Sequence, residues 1–184
     1  NNLTGSIPSQ IASLSSLEVL GLMDNDLDGP IPEGIWGLIN LTSLIIAGNN
    51  LSGQLPPEIG YLSNLEKLWL GGNQLSGEIP SSIEYLQNLD ELLLTGNNFS
   101  GQIPESICNL TVDFSLGFPS FGISENQLCP PYPGCLYYDA YMEPFYDFVG
   151  EQDTSLCCEG EFDQCGVCEG DNSSCGCTDT DACN

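Results

Sequence analysis

The chain has 184 residues, with 26 Asp and Glu side chains, a single Lys, no Arg and no His, so its formal net charge is −25. This charge excludes nucleic acids and anionic membranes as partners, because binding their phosphates requires clusters of Lys or Arg. Because the chain has no His, it lacks the general base that usually activates catalytic Ser and Cys nucleophiles. No apolar run approaches the roughly 18 residues that a membrane span needs.

A repeat of 24 residues runs without a gap from Asn1 to about residue 110. Three positions of each unit keep the same residue type. They are occupied by Asn1, Asn25, Asn49, Asn73 and Asn97, by Gly5, Gly29, Gly53, Gly77 and Gly101, and by Pro8, Pro32, Pro56, Pro80 and Pro104. This regularity predicts a stack of similar coils, in which each coil buries its apolar face only against its neighbours.

Each unit contains a Leu-x-x-Leu-x-Leu stretch, whose alternation of apolar residues predicts a short strand. Strands one repeat apart would stack in parallel about 4.8 Å from each other. Their central residues then form one apolar column of Leu20, Leu44, Leu68 and Leu92. The Asn after each strand would be buried, where its amide can satisfy backbone groups of the turn. This predicts an asparagine ladder of Asn25, Asn49, Asn73 and Asn97.

One complete unit shows the repeat's full pattern. It consists of Leu17, Leu20, Leu22, Asn25, Leu27, Gly29, Ile31, Pro32, Ile35 and Leu38. The unit resembles the plant-type leucine-rich repeat, with the pattern LxxLxLxxNxLxGxIPxxIxxLxx. The resemblance implies an α/β-type solenoid, with a short parallel β-sheet on its concave face and irregular or 3-10 structure on its convex side. A small disulfide-rich module would follow the solenoid.

The resemblance covers residues 1–128, which we predict to be a solenoid of about five coils. Two departures stand out. The first unit has no N-terminal cap, so Leu3, Ile7, Ile11 and Leu14 are expected to face water. The fifth unit degrades after Leu110 and resumes about five residues late, at Ile123, Asn126 and Leu128. Residues 129–156 are predicted to form a C-terminal cap, and residues 157–184 an acidic Cys-rich module.

One residue of each strand lies between two core positions and must point away from the core. This row is formed by Gly21, Ile45, Trp69 and Leu93. An exposed apolar row of this kind marks a contact surface, although loops or glycans that shade it are an alternative. Solenoids of the resembling family bind along this face. The predicted concave-face contact residues are Ile45, Trp69, Leu93, Lys67, Val19 and Met23.

Six Asn-x-Ser/Thr sequons qualify as acceptors of N-linked glycans in an exported protein. They are Asn2, Asn40, Asn50, Asn98, Asn109 and Asn172. Three of these sequons, Asn2, Asn50 and Asn98, follow one another at intervals of 48 residues, or two repeats. They would therefore lie on one edge of the solenoid, on every second coil. Glycans there would shield that edge.

All ten Cys residues lie at or after position 108: Cys108, Cys129, Cys135, Cys157, Cys158, Cys165, Cys168, Cys175, Cys177 and Cys183. We expect disulfides and an extracellular location, secreted or at the cell surface. The segment NQLCPPYPGC resembles the Cys-containing cap of plant-type repeats. Disulfides of Cys108, Cys129 and Cys135 would secure this cap. We expect Cys129 to pair with Cys135, and Cys108 to pair with a later Cys such as Cys157 or Cys158. A zinc ribbon is disfavoured, because the Cys spacing of the tail is short for one.

The C-terminal third has two further features. Six aromatic residues crowd residues 136–150, and they would pack on the last coil or dock on another chain. The tail strings CGVCEGDNSSC and GCTDTDAC resemble small Cys-rich repeats of secreted and surface proteins. Carboxylates of this tail could bind Ca²⁺, with Asp163, Asp171 and Asp181 as candidates, although a solvated acidic surface is the simpler interpretation.

No catalytic motif is present, so we expect a non-enzymatic extracellular protein. The leading hypothesis is a structural or adhesive subunit that assembles head to tail with copies of itself, because an open first coil and an aromatic end form a heterologous contact. The alternative is a recognition ectodomain that binds a peptide, protein or glycan on its concave face. An ice- or carbohydrate-surface binder needs regular Thr or Ser rows, and the outward rows are irregular.

Overall fold

A computed structural model of the chain describes residues 1–114, 119–136, 149–154 and 157. These residues form a solenoid, and each regular coil contributes one strand to each of two parallel sheets and then a 3-10 helix. No longer helix occurs in the described part. The leucine-rich repeat fold predicted from the sequence is therefore confirmed.

The first sheet, on the concave side, is made of five short strands. They are β2 (Val19–Gly21), β4 (Ser43–Ile45), β6 (Lys67–Trp69), β8 (Glu91–Leu93) and β10 (Phe121–Gly122). Neighbouring strands from β2 to β8 pair with a register of one repeat, so Leu20 lies opposite Leu44 and Leu44 opposite Leu68. The predicted leucine column is confirmed, because all its members are buried.

The second sheet has six strands in the described residues. They are β1 (Thr4–Ser6), β3 (Asp26–Pro30), β5 (Asn50–Gln54), β7 (Gln74–Gly77), β9 (Asn98–Gln102) and β11 (Gln127–Cys129). The in-register glycines of these strands, such as Gly53 with φ 92°, adopt positive φ. A side chain there would be strained, which explains why the repeat keeps Gly at this position.

The 3-10 helices follow the second sheet and lie on the convex side. Their bounds are Ser9–Ser13, Glu33–Gly37, Pro57–Tyr61, Ser81–Tyr85, Glu105–Asn109 and Gly134–Leu136. The first five each begin directly after an in-register Pro. The Ile at the centre of helices two to five is buried and belongs to the single hydrophobic core of the solenoid.

The first coil is less exposed than the sequence suggests. Leu3 and Leu14 are about half exposed, as predicted, but Ile7 is only 4% exposed and Ile11 is partly buried against the core. The expectation that Ile7 faces water is wrong, because the second coil covers one side of the first layer.

The asparagine ladder is confirmed, and Asn49 shows its geometry. The Leu27 N–H donates to Asn49 Oδ1 over 3.0 Å, while Asn49 Nδ2 donates to the carbonyls of Ile46 and Leu22, each over 3.0 Å. One amide thus bonds its own turn and the preceding coil. Asn25, Asn73, Asn97 and Asn126 make corresponding bonds from buried positions.

The ladder extends beyond residue 128, where a glutamine takes the place of asparagine. Gln152 Oε1 accepts the Leu128 N–H over 3.2 Å, and Gln152 Nε2 donates to the carbonyls of Ile123 and Val149, each over 2.9 Å. Val149 is buried and stands three residues before Gln152, as Ile123 stands before Asn126. This repeated spacing is the signal that our sequence analysis missed. The predicted module boundaries at 128 and 156 remain predictions.

The irregular fifth unit is accommodated by one longer coil. Phe121 lies opposite Leu92, a step of 29 residues instead of 24, which confirms the predicted resumption of the repeat. The buried Asn126 then continues the ladder in register with Asn97.

The disulfides of the described residues differ from the expected pairs. Cys108 bonds Cys135, and Cys129 bonds Cys157, with Cα atoms 5.6 and 5.4 Å apart. The expected Cys129–Cys135 pair, and the link from Cys108 to Cys157 or Cys158, are wrong. Each bond joins residues 27 or 28 positions apart, which is close to one coil. Residues that far apart stack directly, whereas Cys129 and Cys135 occupy a strand and a convex helix of the same coil.

Replacing Asn73 by Ala tests the ladder. Asn73 Oδ1 accepts the Leu51 N–H over 3.0 Å, and its Nδ2 donates to Ile46 and Leu70 over 3.1 and 2.9 Å. Losing these buried partners should lower the free energy of unfolding by about 2–4 kcal/mol, measured by urea denaturation. The matched control is Asn88→Ala, which removes one exposed bond to the Ser63 carbonyl and should cost less than about 1 kcal/mol. Equal losses in the two variants would contradict the ladder's role.

One digest distinguishes the observed bonds between coils from the expected Cys129–Cys135 bond. Cleavage after Glu places Cys129 and Cys135 on the same peptide, residues 126–143. Under non-reducing conditions we expect that peptide to be linked both to residues 106–125, through Cys108, and to residues 152–159, through Cys157. Mass spectrometry with and without reduction detects the links. Release of residues 126–143 as a free peptide with an internal disulfide would refute the pairing.

Candidate functional site

The candidate site is the concave face, which we define as the outward side chains of the first sheet and of the turn that follows each strand. Val19 and Met23, on the first strand and its turn, are 56% and 43% exposed. Ile45 and Trp69 are half-buried on the next two strands. These four predicted contact residues therefore lie on one accessible surface.

Leu93 does not belong to that exposed surface. The sequence predicts it as exposed, but it is only 8% accessible. On the next strand, Gly122 places no side chain beside Leu93; a Cβ there would lie 3.4 Å from Leu93 Cδ2 and 2.8 Å from Thr95 Oγ1. The predicted row of Ile45, Trp69 and Leu93 shortens to its first two members.

The centre of the face is a bonded cluster of Lys67, Trp69 and Glu91. Glu91 Oε1 accepts from Lys67 Nζ over 2.5 Å, and Glu91 Oε2 accepts from Trp69 Nε1 over 2.8 Å. Lys67 Nζ also lies 5.7 Å from the centroid of the Trp69 ring, within range of a cation–π contact. One carboxylate therefore neutralises the ammonium group and fixes the indole ring. Glu91 is missing from the predicted contact residues, although its register one repeat after Lys67 was available as a signal.

Carboxylates border this cluster along the edge where the strands begin. Glu18, Glu66 and Asp90 directly precede β2, β6 and β8, and all three are exposed. We call them the acidic rim. Their backbones are linked through Thr42: Thr42 N–H donates to the Glu18 carbonyl, Glu66 N–H to the Thr42 carbonyl and Asp90 N–H to the Glu66 carbonyl, each over 2.8 Å. The chain's sole basic side chain, Lys67, is already paired, so this face is negative.

The five sequons within the described residues are all exposed: Asn2, Asn40, Asn50, Asn98 and Asn109. Asn50 and Asn98 begin strands of the second sheet, away from the concave face. Asn40 belongs to a second ladder at the loops before the first sheet, which our sequence analysis missed. Its Nδ2 donates to the Ser15 carbonyl over 2.8 Å, as Asn64 and Asn88 donate to Ile39 and Ser63.

Several predicted site residues lie outside the described part of the chain. They are the sequon Asn172, the candidate calcium ligands Asp163, Asp171 and Asp181, and the cysteines Cys158, Cys165, Cys168, Cys175, Cys177 and Cys183. The aromatic residues from Tyr137 to Phe148 also fall there. Within the described residues, no group of three or more acidic or Cys side chains is placed to hold a metal ion. No helix described in the structure has the length and apolar character needed to cross a membrane.

Comparison with known proteins agrees with this architecture. The family model of the Leucine Rich Repeat matches residues 40–62, 64–86 and 88–110. A search of curated proteins finds no match. Among solved structures, a chain of the complex of the Arabidopsis receptor kinase HAESA with the peptide hormone IDA and the co-receptor SERK1 is 38% identical, with a TM-score of 0.66. The match covers 71% of this chain and 21% of that one.

Two further structures are similar at comparable identity. A plant ice-binding protein is 38% identical with a TM-score of 0.62, over 69% of this chain and 40% of that one. The present chain thus spans less than half the length of the HAESA-complex chain and of the ice-binding protein. A chain of the BIR3–SERK2 complex from Arabidopsis thaliana is 37% identical with a TM-score of 0.60, over 72% of this chain and 68% of that one. With this match, its 24-residue units and its ladder of buried asparagines, the chain belongs to the plant-type leucine-rich repeat family.

Proposed function

We propose that this chain is an extracellular recognition module that binds a peptide, or an extended segment of another protein, on its concave face. The observation that carries the proposal is the state of Trp69. Its ring is half-exposed on the sheet, yet its Nε1 is held by Glu91 over 2.8 Å. A side chain already fixed in place loses little further freedom on binding, and Trp is frequent among the residues that dominate binding energy.

Similar structures support this proposal more than they support the head-to-tail assembly that led the sequence-based hypotheses. The HAESA complex contains a peptide hormone and a co-receptor. Since the present chain covers only a fifth of that chain, binding of a peptide is carried over here as a proposal. Disulfide bonds at Cys108–Cys135 and Cys129–Cys157 support an oxidising, extracellular setting. We propose a binding role without catalysis.

Similarity to a plant ice-binding protein does not lead us to propose ice binding. A flat lattice requires a regular row of small hydroxyl residues. On the second sheet, the residues that lie opposite one another differ in type: Asp28 lies opposite both Ser6 and Asn50, and Pro30 lies opposite Ser52. These rows are too irregular to match such a surface.

Selection from a displayed library of random peptides of about twelve residues tests concave-face recognition. The oxidised protein should retain a set of peptides whose affinity falls about tenfold or more in Trp69→Ala, because the central apolar anchor is lost. The matched control is Tyr85→Ala, which removes an aromatic side chain that is 59% exposed on a convex 3-10 helix and should leave affinity within about twofold.

Circular dichroism and thermal unfolding confirm that both variants keep the fold. Two results would refute concave-face recognition. One is a library from which the protein retains no peptide. The other is a set of peptides that bind Trp69→Ala as tightly as the original chain.

Glycans should occupy Asn2, Asn50 and Asn98 when the chain is secreted from a eukaryotic cell. These sequons are exposed, and the described structure shows no side-chain hydrogen bond from them, whereas Asn40 Nδ2 donates to Ser15 and Asn109 Nδ2 to Glu84 Oε2. Enzymatic deglycosylation in heavy-oxygen water, followed by mass spectrometry, measures occupancy at each site. We expect higher occupancy at the first three than at Asn40 and Asn109; the reverse order would contradict this assignment.

A further inference from the structure

We infer that the ligand of the concave face is a cationic peptide segment in which an apolar side chain stands between Lys or Arg residues. The inference rests on the proposed concave-face recognition and adds the chemical class of the partner. It follows from the distribution of charge around an otherwise apolar patch.

Among its described residues, the face has no unpaired cationic side chain to offer an anionic ligand. Lys67 is the only Lys or Arg of the whole chain, and no His is present. Its ammonium group lies 2.5 Å from Glu91 Oε1, so its charge is already balanced. A ligand carboxylate placed near Trp69 would therefore lose its hydration without gaining a free cation. It would also meet the negative field of a chain whose net charge is −25.

Cationic groups find partners along the acidic rim. Glu18, Glu66 and Asp90 are exposed at the beginnings of three strands of the same sheet. Strands one coil apart are separated by about 4.8 Å, which places Glu66 and Asp90 about 5 Å apart and Glu18 about 10 Å from Glu66. On the opposite edge, Asp24 and Glu125 are exposed at the two ends of the sheet. Carboxylates thus flank the apolar patch on both sides.

The apolar patch supplies the anchor for such a segment. Val19 is 56% exposed, and Ile45 and Trp69 lie half-buried beside it on successive strands. A five-stranded sheet is about 19 Å across, which matches roughly six residues of an extended chain. Successive Cα atoms of one side of such a chain are about 7 Å apart. An extended peptide can therefore place cations at the rim and one apolar side chain on Trp69.

Single exposed ion pairs are weak, because water and salt screen the attraction between the two charges. Several such pairs act together chiefly by accelerating association and by making affinity depend on salt. The apolar anchor then determines how long the ligand stays bound. We therefore predict that mutations at the rim change the association rate and the salt dependence of binding, whereas mutations at Trp69 change the dissociation rate.

The test uses peptides from the library selection and a pair of variants with equal charge changes. Glu66→Gln with Asp90→Asn removes two carboxylates of the rim. Glu33→Gln with Glu58→Gln removes two exposed carboxylates from convex 3-10 helices, so both double variants have the same net charge. Affinity is measured at 50 and 500 mM NaCl by biolayer interferometry, with the full oxidised chain.

We expect the selected peptides to carry a net positive charge and to lose about tenfold in affinity between the two salt concentrations. The rim variant should weaken binding about three- to tenfold at low salt and flatten the salt dependence. The convex variant should stay within about twofold. Replacing Lys and Arg of a selected peptide by Gln should weaken binding to the original chain more than to the rim variant.

The outcomes separate this inference from the proposed function. Peptides that depend on Trp69 but carry no net positive charge would overturn the inference and leave concave-face recognition standing. Equal weakening by the rim and convex variants would also overturn it, since the attraction would then come from the overall charge. Peptides that bind independently of Trp69 would refute the proposed function itself.

Discussion

The buried asparagine amide is the interaction on which the rest of this structure depends. At the end of each strand of the first sheet the chain turns inward, and the turn leaves backbone groups without partners in either sheet. An amide can donate twice and accept, so Asn49 bonds both its own turn and the preceding coil. Because each amide spans two coils, the ladder sets the stacking register that brings the leucine column together. Removing one member would leave several buried groups unsatisfied.

That register has a functional consequence on the opposite side of the sheet. Side chains one repeat apart become neighbours, so Lys67 meets Glu91 directly, and Trp69, two residues further along the strand, reaches the same carboxylate. The repeat register alone is therefore enough to give the face an aromatic ring in a fixed position. The same spacing places Glu18, Glu66 and Asp90 in one rank beside it. The hydrophobic core and the proposed recognition surface therefore lie on opposite faces of the same strands.

The C-terminal end shows how the solenoid tolerates departures from its period. A coil five residues longer than the others still returns Asn126 to the ladder, because only the turn and the strand before it must be in register. One coil later Gln152 performs the same bonding with a longer side chain. Two disulfides then join successive coils, Cys108 to Cys135 and Cys129 to Cys157. They secure the region where the repeat's own pattern is weakest.

The sequence alone determined the period, the strands of the first sheet, the leucine column, the ladder from Asn25 to Asn97 and the negative charge. The structural features follow from residue types at a constant spacing, and the charge follows from composition. Only the tertiary structure decided features that depend on which atoms of neighbouring coils meet. Leu93 is buried, although its place in the repeat predicts an outward, exposed side chain. Cys129 pairs with Cys157 because stacking, rather than closeness in sequence, brings thiols together. The repeat pattern places Glu91 one unit after Lys67, but only the structure shows that its carboxylate reaches both Lys67 Nζ and Trp69 Nε1.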